Sequence, residues 1–175
     1  MHIYFKKILI GFESRVTSQN FFYASFSLFL YAVVPTLLIA SSALLLAKFI
    51  SPSIYATVGT GGGQKNLSLF PTLIFNPFVE SLLLASLIFL SIKCRFKTTL
   101  TVLLPAILMA AMHAVANPMW GITILWTFIT HSNAFRLSFR KGLMRAYYTI
   151  VVAHSLQNGS VLLFAYFWEQ GRGLG

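Results

Sequence analysis

Aspartate is absent from this chain, and glutamate occurs only at Glu13, Glu80 and Glu169. Without aspartate there can be no aspartyl dyad. No His-Glu-x-x-His pair is present for a zincin, and no Gly-x-Ser-x-Gly elbow for a serine hydrolase. Cysteine is nearly missing too. The single Cys94 sits in the basic stretch KCRFK, which excludes an internal disulfide, a Cys-x-x-Cys pair and a zinc knuckle. Charge is scarce, at 9% of residues against 57% hydrophobic, and mean hydropathy is +0.78. Soluble domains carry about 25% charged residues, so a chain of 175 residues with this composition is predicted to be an integral membrane protein.

What charge there is has one sign, a formal net +10. A nucleic-acid partner is the obvious inference from such a balance, but the basic residues flank apolar runs, where they orient a chain in a bilayer. The partner implied is therefore the lipid bilayer and not nucleic acid. The basic and partly apolar residues 1–21 lack a continuous apolar core ending in a small-residue cleavage site, and they read as a retained cytoplasmic or interfacial segment.

The apolar runs predict an all-α, polytopic transmembrane bundle of about five spans, in one membrane-embedded domain over residues 22–170. The first span runs from about Phe22 to Ile50. A connector with four glycines, SPSIYATVGTGGGQKN, follows it; Lys65 there stands between Gln64 and Asn66, so a linker is favoured over a phosphate loop. The second span covers about Leu69 to Ile92, interrupted at Asn76-Pro77, a pair suited to cap and start a helix. Thr98 to Ala116 forms the third, closed by Asn117-Pro118. A short fourth, Trp120 to Thr130, reads as a crossing or a re-entrant segment, and the fifth is Leu143 to Trp168. With five crossings, Lys6, Lys7, Arg15, Lys93, Arg95, Lys97, Arg136, Arg140, Lys141 and Arg145 share one side, leaving Lys48, Lys65 and Arg172 opposite. The N-terminus is thus predicted inside and the C-terminus outside. The run FRLSFRKGLMR is read as a topology determinant ahead of an anionic-lipid site.

Few strongly polar residues fall within these spans: Glu80, His113, His154 and Asn158. A charge near the bilayer centre costs about 2.5 to 3.5 kcal/mol on insertion scales, so such residues face the bundle interior and mark function by default. At 1.5 Å per residue, Glu80 lies roughly 20 Å from Lys93, His113 roughly 24 Å from Lys97, and His154 and Asn158 roughly 14 and 20 Å from Arg145. The depths overlap. His154 and Asn158, four apart, share one helix face. A carboxylate can take a proton from water, an imidazole can orient that water, and an amide with a second imidazole can donate to a developing oxyanion. That set suits water attack on a carbonyl. His131 and His2 read as interfacial, and Trp120, Trp126, Tyr147, Tyr148 and Trp168 as belt or packing residues.

The same residues carry a resemblance to the CPBP intramembrane proteases, the family of CAAX prenyl proteases and bacteriocin-processing enzymes. NPFVESLLLAS resembles the family's Glu-Glu-x-x-x-Arg motif with Glu80 leading, MAAMH resembles Phe-x-x-x-His ending at His113, and HSLQN resembles His-x-x-x-Asn at His154 and Asn158. Ser81 stands at the second Glu, Ala85 at the Arg and Met109 at the Phe. The resemblance spans about residues 72 to 164 and implies an intramembrane endopeptidase acting on a peptide or membrane protein, in a bacterial inner membrane. It further implies that Glu80 and His113 activate water and that His154 and Asn158 form the oxyanion site. Zinc is the alternative cofactor, since two histidines and a glutamate plus water make a catalytic zinc set. No cofactor is favoured, because no acid other than Glu80 is placed to orient the histidines.

Plainer readings stand beside these. Glu80 as a neutral carboxyl bonded to Ser81 or Asn76, His113 bonded to a backbone carbonyl, and His154 with Asn158 as interhelical glue describe a non-catalytic membrane scaffold. A proton- or ion-coupled transporter subunit would use the same buried groups as a relay.

Overall fold

The computed structural model describes residues 10–50 and 69–172, with side chains described through residue 163 except at positions 44, 47, 48 and 50. The glycine-rich connector, Lys65 and His2 lie outside the described residues, as do the side chains of Trp168 and Arg172. Everything described is helical or turn, with no strand among the described residues. A short helix α1 (residues 10–16) leads to α2 (Phe21–Ile50), α3 (Asn76–Lys93), α4 (Thr98–Ala116), α5 (Pro118–Phe139) and α6 (Leu143–Arg172). Helices are what a lipid-embedded chain must form, because each backbone N–H and C=O then finds its partner within the segment.

Three helical stretches are long and apolar enough to cross a membrane: Phe21–Ala43, Pro71–Lys93 and Thr98–Ala116. The last two α-helices match them in length, at 22 and 30 residues, and are more polar. The expected short fourth span is instead one unbroken helix from Pro118 through His131 to Phe139. Its sequence signal ended at Thr130 because the next residues, His131, Ser132 and Asn133, are polar; two of them are buried inside the bundle, so polarity there marks the interior.

The expected start at Asn76-Pro77 is where α3 begins, and the expected interruption before it is a change of helix type and not a break. The helix passes through a π-helical turn, Pro71–Phe75, into α3 without a break. Pro77 has no N–H to offer, and the Asn76 N–H turns back to Pro71 O, five residues earlier, so the wider turn absorbs the proline.

Small residues pack the interior beside large ones such as Phe128, Phe135 and Ile150, while many other large apolar side chains face outward. Ala24, Ala32, Ala106, Ala134, Ala146 and Ala153 are fully buried, whereas Phe22 is 76% exposed and Val115 89%. In water that distribution would be inverted. In lipid, tails match the outer side chains, and helix association rests on close packing of small residues. The antiparallel hairpin α4–α5 shows this most sharply. Asn117 alone connects the two, its Oδ1 accepting the N–H groups of Met119 at 3.0 Å and Trp120 at 3.4 Å. A Cβ on Gly121 would stand 2.5 Å from Ala114 Cβ and 2.7 Å from Ala110 O.

Helix α1 is stitched to the α5–α6 turn. Phe12 and Val16, one turn apart, are buried, and Ser138 Oγ donates to Val16 O at 3.3 Å. Lys141 donates to Thr17 O, and Arg145 donates to Ser18 O and, at 2.9 Å, to Gln19 O. Two of the basic regions therefore occupy one end of the bundle, cationic groups meeting the carbonyls that a helix C-terminus leaves unpaired.

Gly121→Ala tests the hairpin. Alanine in a helix is ordinarily favoured over glycine by about 1 kcal/mol, but here the new methyl overlaps Ala114. We expect a net loss of about 1–3 kcal/mol, read as a lowered unfolding midpoint in detergent. Adding Ala114→Gly should restore only part of it, because Ala110 O still blocks the site.

Candidate functional site

Three of the four predicted residues converge. Glu80 Oε2 lies 3.5 Å from His113 Nε2 and 3.5 Å from His154 Nε2, so helices α3, α4 and α6 present an acid and two imidazoles to one small volume. Glu80 sits near the start of α3, just past the π-turn, and such turns recur at functional sites because they displace the following residues from regular α register. Both contacts exceed the 2.7–3.2 Å range of N–H···O hydrogen bonds. They are charge contacts with room for adjustment.

Burial is graded across the trio. The side chain of Glu80 is 26% exposed, that of His113 17% and that of His154 8%, so the acid is the accessible member. Aromatic rings wall the histidines. Phe128 lies 5.4 Å from the His113 ring and 6.2 Å from the His154 ring, and Trp120 packs edge-on to His113 at 5.4 Å. These rings exclude water from one side, which strengthens electrostatic interaction within the cluster.

Each imidazole has a definite role. His113 Nδ1 is 2.9 Å from Met109 O. A carbonyl oxygen only accepts, so Nδ1 carries the proton and neutral His113 turns the lone pair of Nε2 toward Glu80. The acceptor face of His113 and the carboxylate of Glu80 thus face one small volume, where a donor such as a water O–H would bond to both.

Asn158 is placed differently from the expectation. Its Nδ2 donates to Thr72 O at 2.9 Å, tying α6 to the π-turn. The reason lies in the turn itself. In α geometry Thr72 O would accept the Asn76 N–H, and in π geometry the N–H of residue 77; the first is diverted to Pro71 O and the second does not exist in proline. Asn158 supplies a donor to this carbonyl from α6. One amide N–H is thereby committed to this bond.

The sequence reading missed His131. It was expected at an interface, yet its ring is 1% exposed and 5.6 Å from the ring of His154. The signal was the spacing of Thr127 and His131 on one face of α5, a polar stripe inside an apolar helix. That stripe continues across to α6: Gln157 Nε2 donates to Thr127 Oγ1 at 2.7 Å, and Thr127 Oγ1 is 3.0 Å from Thr36 Oγ1 on α2.

Among the described residues, no three of His, Cys, Asp and Glu gather as a metal-holding group. Tyr147 and Trp126, read as belt or packing residues, are bonded inward, Tyr147 Oη to Phe78 O at 2.9 Å and Trp126 Nε1 to Tyr31 O at 3.0 Å.

Replacing Asn158 by leucine, similar in size and without donors, should destabilise the fold by about 1 kcal/mol through loss of the interhelical hydrogen bond to Thr72 O. Thermal unfolding in detergent measures it.

No family model matches this chain, and no curated protein or solved structure matches it either.

Proposed function

We propose that this protein is an intramembrane endopeptidase of the CPBP type, hydrolysing a peptide bond of a membrane-associated protein or peptide with water activated by Glu80 and His113. The observation that carries the reading is the approach of two imidazole nitrogens, from two helices, to one carboxylate oxygen at 3.5 Å each. In this mechanism a water bound at Glu80 and His113 loses a proton to the pair as its oxygen attacks the carbonyl carbon. The oxyanion so formed is met by the Nε2–H of His154 and the uncommitted N–H of Asn158. Glu80 then passes the proton to the departing amine, the C–N bond breaks, and a carboxylic acid and an amine are released. Ser81 and Ala85, where the family motif has Glu and Arg, leave Glu80 as the sole acid of the cluster.

The topology proposed with this function has five crossings in a bacterial inner membrane, N-terminus in the cytoplasm. Its support is the placement of Lys141 and Arg145 against the chain just after α1, which gathers basic regions at one end. Cys94 lies exposed in the α3–α4 turn of the same predicted side. A membrane-impermeant maleimide should label Cys94 in inverted vesicles and not in intact cells; the reverse pattern would turn the topology over.

A second reading is favoured by one observation. Asn158 spends a donor on Thr72 O, as interhelical glue would, and a scaffold without activity needs no more than that. Co-expression with a panel of tagged, membrane-anchored peptides separates the two. Glu80→Gln and His154→Ala should each reduce processing by about 10²-fold or more at unchanged membrane abundance. Equal processing by wild type and both variants leaves the scaffold standing.

A further inference from the structure

His131 presents a problem that the mechanism above does not use. Its imidazole is 1% exposed, and neither Nδ1 nor Nε2 has a hydrogen-bond partner among the described residues. A buried, unpaired polar atom costs about 1–3 kcal/mol, and a phenylalanine in this place would incur none of that. The ring is not isolated from the site: it stands 5.6 Å from the ring of His154, tilted by 49°.

The neighbourhood on α6 has a matching gap. Gln157 donates from Nε2 to Thr127 Oγ1, while its Oε1 is buried with no partner among the described residues. Thr127 lies one turn before His131 on α5, and Gln157 nearly one turn after His154 on α6. The helices run antiparallel there, so the pairs Thr127–Gln157 and His131–His154 form two rungs of one polar ladder. Between these rungs sit a ring that can donate and an amide oxygen that can only accept.

His154 itself must choose a tautomer. Its Nε2 faces Glu80, and for Nε2 to carry the proton, Nδ1 must accept from something else. Buried waters typically make two to four hydrogen bonds to otherwise unsatisfied groups. One water between α5 and α6 would meet three of these needs, accepting from the N–H of His131 and donating its two hydrogens to His154 Nδ1 and Gln157 Oε1, and would leave only the second His131 nitrogen without a partner.

We propose that His131 is a positioning residue for His154, acting through one internal water shared with Gln157 Oε1, which holds the His154 proton on Nε2 toward Glu80. The consequence for hydrolysis, a pre-set donor at the oxyanion, rests on the protease reading; the hydrogen-bond arrangement does not.

With only four histidines in the chain, ring-¹⁵N-labelled histidine in the full-length protein in bilayers gives a sparse spectrum. Wild type should show His154 as a single Nε2–H tautomer. His131→Phe, close in volume and without nitrogen, should shift the His154 nitrogens toward a tautomer mixture and leave those of His113, pinned by Met109 O, in place. His131→Asn, which keeps a donor, should move them back. Unchanged His154 nitrogens in His131→Phe would reduce His131 to packing and overturn the proposal. Should that variant not fold, water-to-ring magnetisation transfer in the unmutated chain decides: transfer to His131 and His154 is expected, and its absence overturns the proposal. An intact His154 response in a protein that cleaves no peptide would sink the protease and spare the positioning role.

Discussion

Inside a bundle surrounded by lipid, every polar group has to find its partner within the protein, and this one constraint orders most of the molecule. The π-turn before α3 shows it at the scale of a single carbonyl. Proline at position 77 removes a donor, the diverted Asn76 N–H removes another, and an asparagine from a different helix donates to Thr72 O. Thr36, Thr127 and Gln157 repeat the pattern across α2, α5 and α6. Such interhelical bonds contribute modestly, about 0.6 kcal/mol each in measured cases. Their larger effect is to select one packing among many that lipid would tolerate.

The same constraint explains why the site lies where it does. A carboxyl at 26% exposure and imidazoles at 17% and 8% are costly in hydrocarbon, and they become tolerable by gathering around one shared oxygen. Gathering them requires three helices to approach closely, which the fully buried alanines and Gly121 permit. Close packing and chemistry are thus linked: small residues bring the helices near enough for short polar side chains to meet. Phe128, wedged beside both histidines, then fixes the distance between their helices.

The polar stripe of α5 adds a layer beneath the trio. His131, His154 and Glu80 form a series running from a fully buried ring to a partly open acid. A graded series of this kind lets the innermost members be held rigidly while the outermost meets whatever enters. The more polar helices are α5 and α6, and α5 carries the buried stripe of Thr127 and His131.

Composition and periodicity were enough to identify a helical membrane protein, the bounds of α4 and the candidate residues Glu80, His113, His154 and Asn158, because charge scarcity and apolar run length are local properties that lipid reads directly. Two elements were misjudged for the opposite reason. Asn76-Pro77 has the local signature of a helix start, and α3 does begin there, but the π-turn that joins it without a break, bonded to Asn158 on another helix, has no local signature. His131 has the local signature of a helix end, yet packing of α5 against α6 buries it. Which imidazole nitrogen faces the acid, which amide hydrogen is already spent and which histidine stands behind another are decided only by helices meeting in space, since no spacing along one chain encodes the distance between two.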